Sequence, residues 1–174
     1  MSIRNLEYLF NPSSVALIGA SKRSGSIGAV VARNLFHSGF QGPVMPVNPN
    51  HKAIEGVLTY PDVASLPMAP DLAVIATPPP AVPGLIAALA ARGTKAAVVI
   101  SAGFGEGGDA AGHALSKEML AAAKPATLRI VGPNCIGVLA PRSGLNASFA
   151  HIQPKAGHLA FVAQSGAIVT TVLD

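Results

Sequence analysis

The chain has 174 residues, half of them hydrophobic, 11% charged and 5% aromatic, with no Trp and a net charge of +4. That length supports one domain with a real core, and the abundance of small apolar residues suits tightly packed α/β layers. No apolar run reaches the roughly 18 residues of a membrane span, so no membrane association is expected. Arg4, Asn5 and Glu7 precede any long apolar stretch, so a secretory leader is not expected either. The single cysteine, Cys135, excludes an internal disulfide and suits a cytoplasmic location.

The charge is local. Tyr8 to Ile54 holds no Asp or Glu but does hold Lys22, Arg23, Arg33 and Lys52. Arg4 balances Glu7, and residues 55–174 carry seven basic and seven acidic side chains. The whole excess therefore lies in one segment. A nucleic-acid binder usually needs more charge and exposed aromatics, so a local phosphate site explains the asymmetry with less.

In chain order, Leu6 to Phe10 is a short apolar lead-in stopped by Asn11-Pro12. Val15 to Ile18 reads as a buried strand, and Ser26 to Phe36 has helical periodicity ending at Gly39. Pro43 to Val47 is a second strand. Glu55-Gly56 is a turn before a short extended piece, Val57 to Tyr60. Asp62 is placed to cap a brief helix over Val63 to Leu66. Leu72 to Ala76 is a third main strand, broken by Thr77-Pro78-Pro79-Pro80, and a helix from about Ala81 to Arg92 is closed by Gly93. A fourth strand spans Ala96 to Ile100, a glycine loop Ser101 to Gly108, a helix Ala110 to Ala123 and a fifth strand Leu128 to Val131.

Five buried strands separated by helices imply α/β architecture, a Rossmann-like doubly wound parallel sheet. Ligands of such sheets sit beyond the C-terminal strand ends. Here those ends are Gly19–Gly25, Asn48–Lys52, Thr77–Pro80, Ser101–Gly105 and Gly132–Gly137, so the unusual segments share one edge. After residue 137 the rhythm changes. Ala140 to Ala156 reads as loop, His158 to Ala163 as a new strand, and Ala167 to Leu173 as a helix still running at Asp174. The expected division is a first domain over 1–140 and, over 141–174, a linker with the start of a second domain of a longer protein.

Val15 to Gly28 reads VALIGASKRSGSIG. A strand, a glycine-bearing turn and a helix N-terminus make an anion site, because free backbone N–H groups and the helix dipole converge there. The loop departs from G-x-G-x-x-G, with Ala20, Ser21, Lys22, Arg23 and Ser24 between Gly19 and Gly25. A nicotinamide-binding domain would place Asp or Glu near the end of the second strand for the ribose 2′-OH. Here stands Asn48, with Asn50 and Lys52 beyond. The site looks built for a nucleotide carrying extra phosphate. Asn48 and Asn50 suit ribose or adenine without repelling phosphate, and the Thr77–Pro80 run, with Pro79 in it, suits an apolar wall for adenine.

GPNCIG at 132–137, with IGAS at 18–21, VNPN at 47–50 and VISAGFGE at 99–106, resembles the CoA-binding domain of the NDP-forming acyl-CoA synthetases, a superfamily that includes the succinyl-CoA synthetase alpha subunit. The resemblance covers essentially the whole chain, and FVAQSGAIV in its tail looks like the opening of the family's flavodoxin-like ligase domain. Residues 42–67 and GLNASF at 144–149 also look like the N-terminus of bacterial protein lysine acetyltransferases, in which a synthetase-like body is fused to a GNAT domain. The resemblance implies coenzyme A or acyl-CoA as ligand, with ATP or GTP and Mg only in the complete protein. Ligase and ATP-grasp domains would be its partners, and a homo-oligomer is possible.

Carried over by position, the CoA-contacting residues match Ser21, Lys22, Arg23, Ser24 and Gly25, then His51 or Lys52 with charge favouring Lys52, then Ile100, Ser101 and Ala102. Synthetase subunits often have a carboxylate where Ala102 stands. Gly19 and Asn134 complete the binding set. No catalytic residue is expected in this stretch. Cys135 has no partner base nearby, and none of His37, His51, His113, His151 and His158 fits the family's phosphorylated histidine or a metal spacing. Ser165-Gly166 at a helix start suits the phosphoryl group of the complete enzyme. Two alternatives stay open: an NAD(P)-binding oxidoreductase domain, and a non-catalytic CoA- or nucleotide-sensing module.

Overall fold

Short runs of apolar residues become the strands of a central sheet in the computed structural model, which describes residues 3–173. In chain order the strands are β1 (Val15–Ile18), β2 (Val44–Val47), β3 (Ala53–Ile54), β4 (Val57–Leu58), β5 (Leu72–Ile75), β6 (Ala96–Val99), β7 (Arg129–Val131), β8 (Gly137–Ala140) and β9 (Leu145–Ser148). The helices are α1 (Glu7–Phe10), α2 (Ile27–His37), α3 (Val82–Arg92), α4 (Ala110–Ala123) and α5 (Gly166–Leu173). The main sheet has the order β2-β1-β5-β6-β7, parallel throughout. The chain thus winds from β1 outward to β2, then returns to the other side of β1 as β5. That reversal opens a crevice between the C-terminal ends of β1 and β5.

Every residue of β1, β5 and β6 is buried, as a sheet covered on both faces requires. Alternate residues divide between two cores. Ala16, Ile18, Ala73, Ile75, Ala97 and Val99 pack with Val82, Ile86 and Leu89 of α3 and Met119 and Ala123 of α4. Val15, Leu17, Leu72, Val74, Ala96 and Val98 pack with Leu9 of α1, Val31, Ala32 and Leu35 of α2, and Leu145 and Ala147 of β9. Each large aliphatic side chain buried this way contributes about 1.5–3 kcal/mol.

Local chemistry sets the helix ends. The Ser26 hydroxyl caps α2 by accepting from the Ala29 N–H at 3.4 Å. Asp109 caps α4, accepting from the Ala111 and Gly112 N–H groups at 3.2 and 2.9 Å. Gly93 ends α3 at φ +94°, where a side chain would be strained.

The structure differs from expectation in three places. Val63 to Leu66 is a turn. Asp62 spends its carboxylate on both the Ser65 N–H and the Ser65 hydroxyl, at 2.8 and 2.7 Å, a local turn that competes with a helical one. The segment 140–156 contains the second strand of an antiparallel hairpin, β8–β9. Its strand β9 packs on α2, whose Asn34 amide donates to the Ser148 and Ala150 carbonyls, each at 2.9 Å. Finally, His158 to Ala163 forms no strand. Leu159 and Val162 are 88% and 94% exposed, and no described strand pairs with them.

Candidate functional site

At the reversal point the backbones of β1 and β5 nearly touch. Gly19 sits at φ +89°, and a Cβ there would fall on the Ala76 carbonyl. Its N–H bonds the Val47 carbonyl at 3.0 Å, while the Ala76 N–H bonds the Ile18 carbonyl at 2.8 Å. Gly28, in the first turn of α2, has the same constraint: a Cβ would meet the Gly19 carbonyl. The two glycines therefore let helix, turn and both strand ends close on one spot. Gly25, at φ +74° with open space around it, turns the chain into the Ser26 cap.

Residues 21–25 form the loop above this spot. The Ser21 hydroxyl accepts from the Arg23 N–H at 3.0 Å, and the Arg23 carbonyl accepts from the Ser26 hydroxyl at 2.7 Å. Lys22, Arg23, Ser24 and Gly25 are exposed. The first N–H groups of α2, at Ile27 and Gly28, have no acceptor within the helix by geometry. Cationic side chains and helix N–H groups thus lie together, with no Asp or Glu in that stretch of chain.

The loop after β2 lies beside it. The Asn48 amide donates to the Ala20 carbonyl at 2.8 Å, and its oxygen accepts from the Asn50 N–H at 2.8 Å. Both ends of that side chain bind the protein's own backbone, which ties the loop after β2 to the loop after β1. Asn50 and Lys52 are exposed, and the Lys52 carbonyl accepts from the Thr59 N–H at 3.0 Å, which ties Lys52 to the β3–β4 hairpin.

The far side of the crevice is built by the ends of β5, β6 and β7. The Ser101 hydroxyl donates to the Thr77 carbonyl at 2.5 Å, and the Ser101 carbonyl accepts from the Asn134 N–H at 2.9 Å. Ser101 thereby links all three strand ends. Asn134 is exposed at φ +53°. Pro79 lies under Gly103, with its Cγ 2.9 Å from where a Cβ would stand, and Ala102 is exposed beside them. Ile100 is 4% exposed and packs in the core, which keeps its side chain out of the crevice. Glu106 closes the glycine loop by accepting from the Gly103 and Phe104 N–H groups at 3.0 and 2.8 Å. These backbone donors, its own N–H foremost, hold its carboxyl below the ordinary value.

One feature escaped the sequence reading. The Thr77 hydroxyl is buried at the reversal point with no hydrogen-bond partner among the described residues. A buried hydroxyl left unpaired costs about 1–3 kcal/mol, so a polar ligand atom or water in the crevice would satisfy it. Only its position after a buried strand could have pointed to it. The Cys135 thiol donates to the Val99 carbonyl at 3.3 Å, and burial pushes its pKa up, the reverse of what a nucleophile needs. Among the described residues no three His, Cys, Asp or Glu side chains gather to hold a metal. A surface hollow of about 550 Å³, bordered by Asn11, Phe40, Arg142 and Gly144, lies at the opposite edge of the sheet and contains none of these groups.

A sequence model described as a CoA-binding domain matches residues 13–141. The chain belongs to this CoA-binding domain family. It is 38% identical over 169 residues to an ADP-forming acetate–CoA ligase of Methanocaldococcus jannaschii, covering 97% of this chain and 23% of that protein. It is 39% identical over 164 residues to the alpha subunit of ADP-forming acetate–CoA ligase II of Pyrococcus furiosus, covering 94% and 35%. Among solved structures, the dinucleotide-forming acetyl-coenzyme A synthetase 1 of Ca. Korarchaeum cryptofilum, in complex with phosphate and ADP, superposes with a TM-score of 0.90 at 40% identity, over 97% of this chain and 36% of that one. The chain spans about a quarter to a third of the length of these relatives. The family and the missing acid after β2 leave the oxidoreductase alternative without support.

Proposed function

We propose that the chain binds coenzyme A across the C-terminal edge of its sheet and is the CoA-holding part of an ADP-forming acyl-CoA ligase. One observation carries the site: the parallel pairing of β1 with β2 sets the basic, acid-free loop 19–25 beside the loop 48–52, with a hydrogen bond between them, and the strand-order reversal opens the crevice there. CoA carries a pyrophosphate and a 3′-phosphate, which call for N–H donors and cations. The helix N-terminus with Ser21, Lys22, Arg23, Ser24 and Gly25 takes the pyrophosphate. Asn50 and Lys52 take the 3′-phosphate, and Pro79 flanks the adenine. Ser101, Ala102 and Asn134 line the route of the pantetheine arm.

In the complete protein the reaction joins an acid and CoA at the expense of ATP, giving acyl-CoA, ADP and phosphate. ATP, Mg and the phosphorylated histidine belong to ligase and ATP-grasp parts outside residues 1–174, and this chain's share is to hold CoA and aim its thiol. The relatives' names favour ADP over GDP and a ligase over the acetyltransferase relation. The division at residue 140 belongs to the same proposal, with the β8–β9 hairpin packed on the first unit. Calorimetric titration with CoA, 3′-dephospho-CoA, NAD and NADP tests it. CoA binding more tightly than dephospho-CoA, with neither nicotinamide cofactor competing, is the expected result. Failure to bind CoA, or displacement of CoA by NADP, would overturn it.

A further inference from the structure

The Asn48 side chain is the polar side chain that joins the two phosphate loops. Its amide satisfies the carbonyl of Ala20, a wholly buried residue at the root of the glycine loop, and its oxygen holds the Asn50 N–H in an Asx turn. Its backbone is fixed as well: the Asn48 N–H bonds the Tyr60 carbonyl at 2.9 Å, and the Tyr60 N–H bonds the Pro46 carbonyl at 2.9 Å. We infer that Asn48 is a positioning residue that sets the spacing between the cations of loop 21–25 and Lys52, and so selects a ligand with two phosphate groups a fixed distance apart. An aspartate at this position keeps the Asx turn but cannot donate to Ala20, and two oxygens would then face each other. The residue type is thus dictated by the strut, independently of any direct ligand contact.

The inference rests on the CoA reading, and the test separates the two. CoA and 3′-dephospho-CoA are titrated into the full chain and into Asn48→Ala, Asn48→Asp, Lys52→Ala and the Asn48→Ala/Lys52→Ala double variant, with thermal melting as a check on folding. A strut predicts that Asn48→Ala weakens CoA binding roughly tenfold, dephospho-CoA binding by less, and that the double variant loses little beyond Lys52→Ala alone. Asn48→Asp should fail like Asn48→Ala although it keeps the turn. Equal losses for both ligands, or fully additive losses in the double variant, overturn the strut while leaving CoA binding standing. A parent chain that does not prefer CoA to dephospho-CoA overturns both. If Asn48→Ala does not fold, Asn48→Asp and Asn48→Ser carry the same comparison.

Discussion

Gly19→Ala offers the sharpest test of how the crevice is built, because Gly25→Ala supplies its own control. Both positions have positive φ, +89° and +74°, so each substitution brings a conformational penalty of about 1–2 kcal/mol. They differ in space. At Gly25 a methyl group meets nothing within 4 Å, whereas at Gly19 it falls on the Ala76 carbonyl. That neighbour is backbone at the end of a fully buried strand, so relief requires β1 and β5 to part, at about 1–3 kcal/mol more. Gly19→Ala should therefore lose about 2–5 kcal/mol and Gly25→Ala about 1–2. Urea unfolding with an unchanged m-value reads the difference directly. CoA titration of the folded fraction should show the larger loss at Gly19 too, since the loop's root moves. Equal destabilisation of the two variants would refute the claim that close approach of two strand ends, more than φ, makes Gly19 necessary.

Arg23→Ala and Lys52→Ala should each weaken CoA binding by about 1–2 kcal/mol, as loss of a charge-assisted contact does. Binding by the parent chain should fall as salt is raised, and calorimetry in a salt series checks both. Glu106 titrates below its ordinary value of 4.5. Its contribution to stability is therefore complete above that pH and is lost as pH falls through the lower, folded value. Glu106→Gln should therefore lower the melting temperature at neutral pH and leave it nearly unchanged below the folded value, which flattens the acid limb. An unaltered acid limb would show that the clasp on Gly103 and Phe104 contributes nothing. The raised pKa of Cys135 predicts slow reaction with a disulfide reagent at neutral pH, accelerating in urea; fast labelling of the native chain would contradict its burial.

Much of this was legible in the chain itself. Continuous apolar runs such as Val15–Ile18 and Leu72–Ile75 become strands because a sheet covered on both faces has no polar side. Ser26 and Gly93 mark helix ends because the hydroxyl of one and the bare Cα of the other satisfy or relax the terminal backbone. The phosphate character of the site followed from charge placement, since cations without neighbouring acids in a glycine turn have few other uses. The sequence could not show the β8–β9 hairpin, because β9 buries Asn146 and Ser148 along with Leu145 and Ala147. Such residues enter a core only when partnered. Here Asn146 donates to Gln153 and accepts from Ser148, both at 2.6 Å, a pairing that no periodicity in the chain announces. Nor could it show which backbone groups hold Asn48. An asparagine after β2 reads as a ligand contact, and only the fold puts the Ala20 carbonyl 2.8 Å from its amide. Periodicity and charge are one-dimensional and belong to the sequence. The partner of a polar side chain is a matter of three-dimensional neighbours, and the pairing of β2 beside β1 and of β9 with β8 chose them.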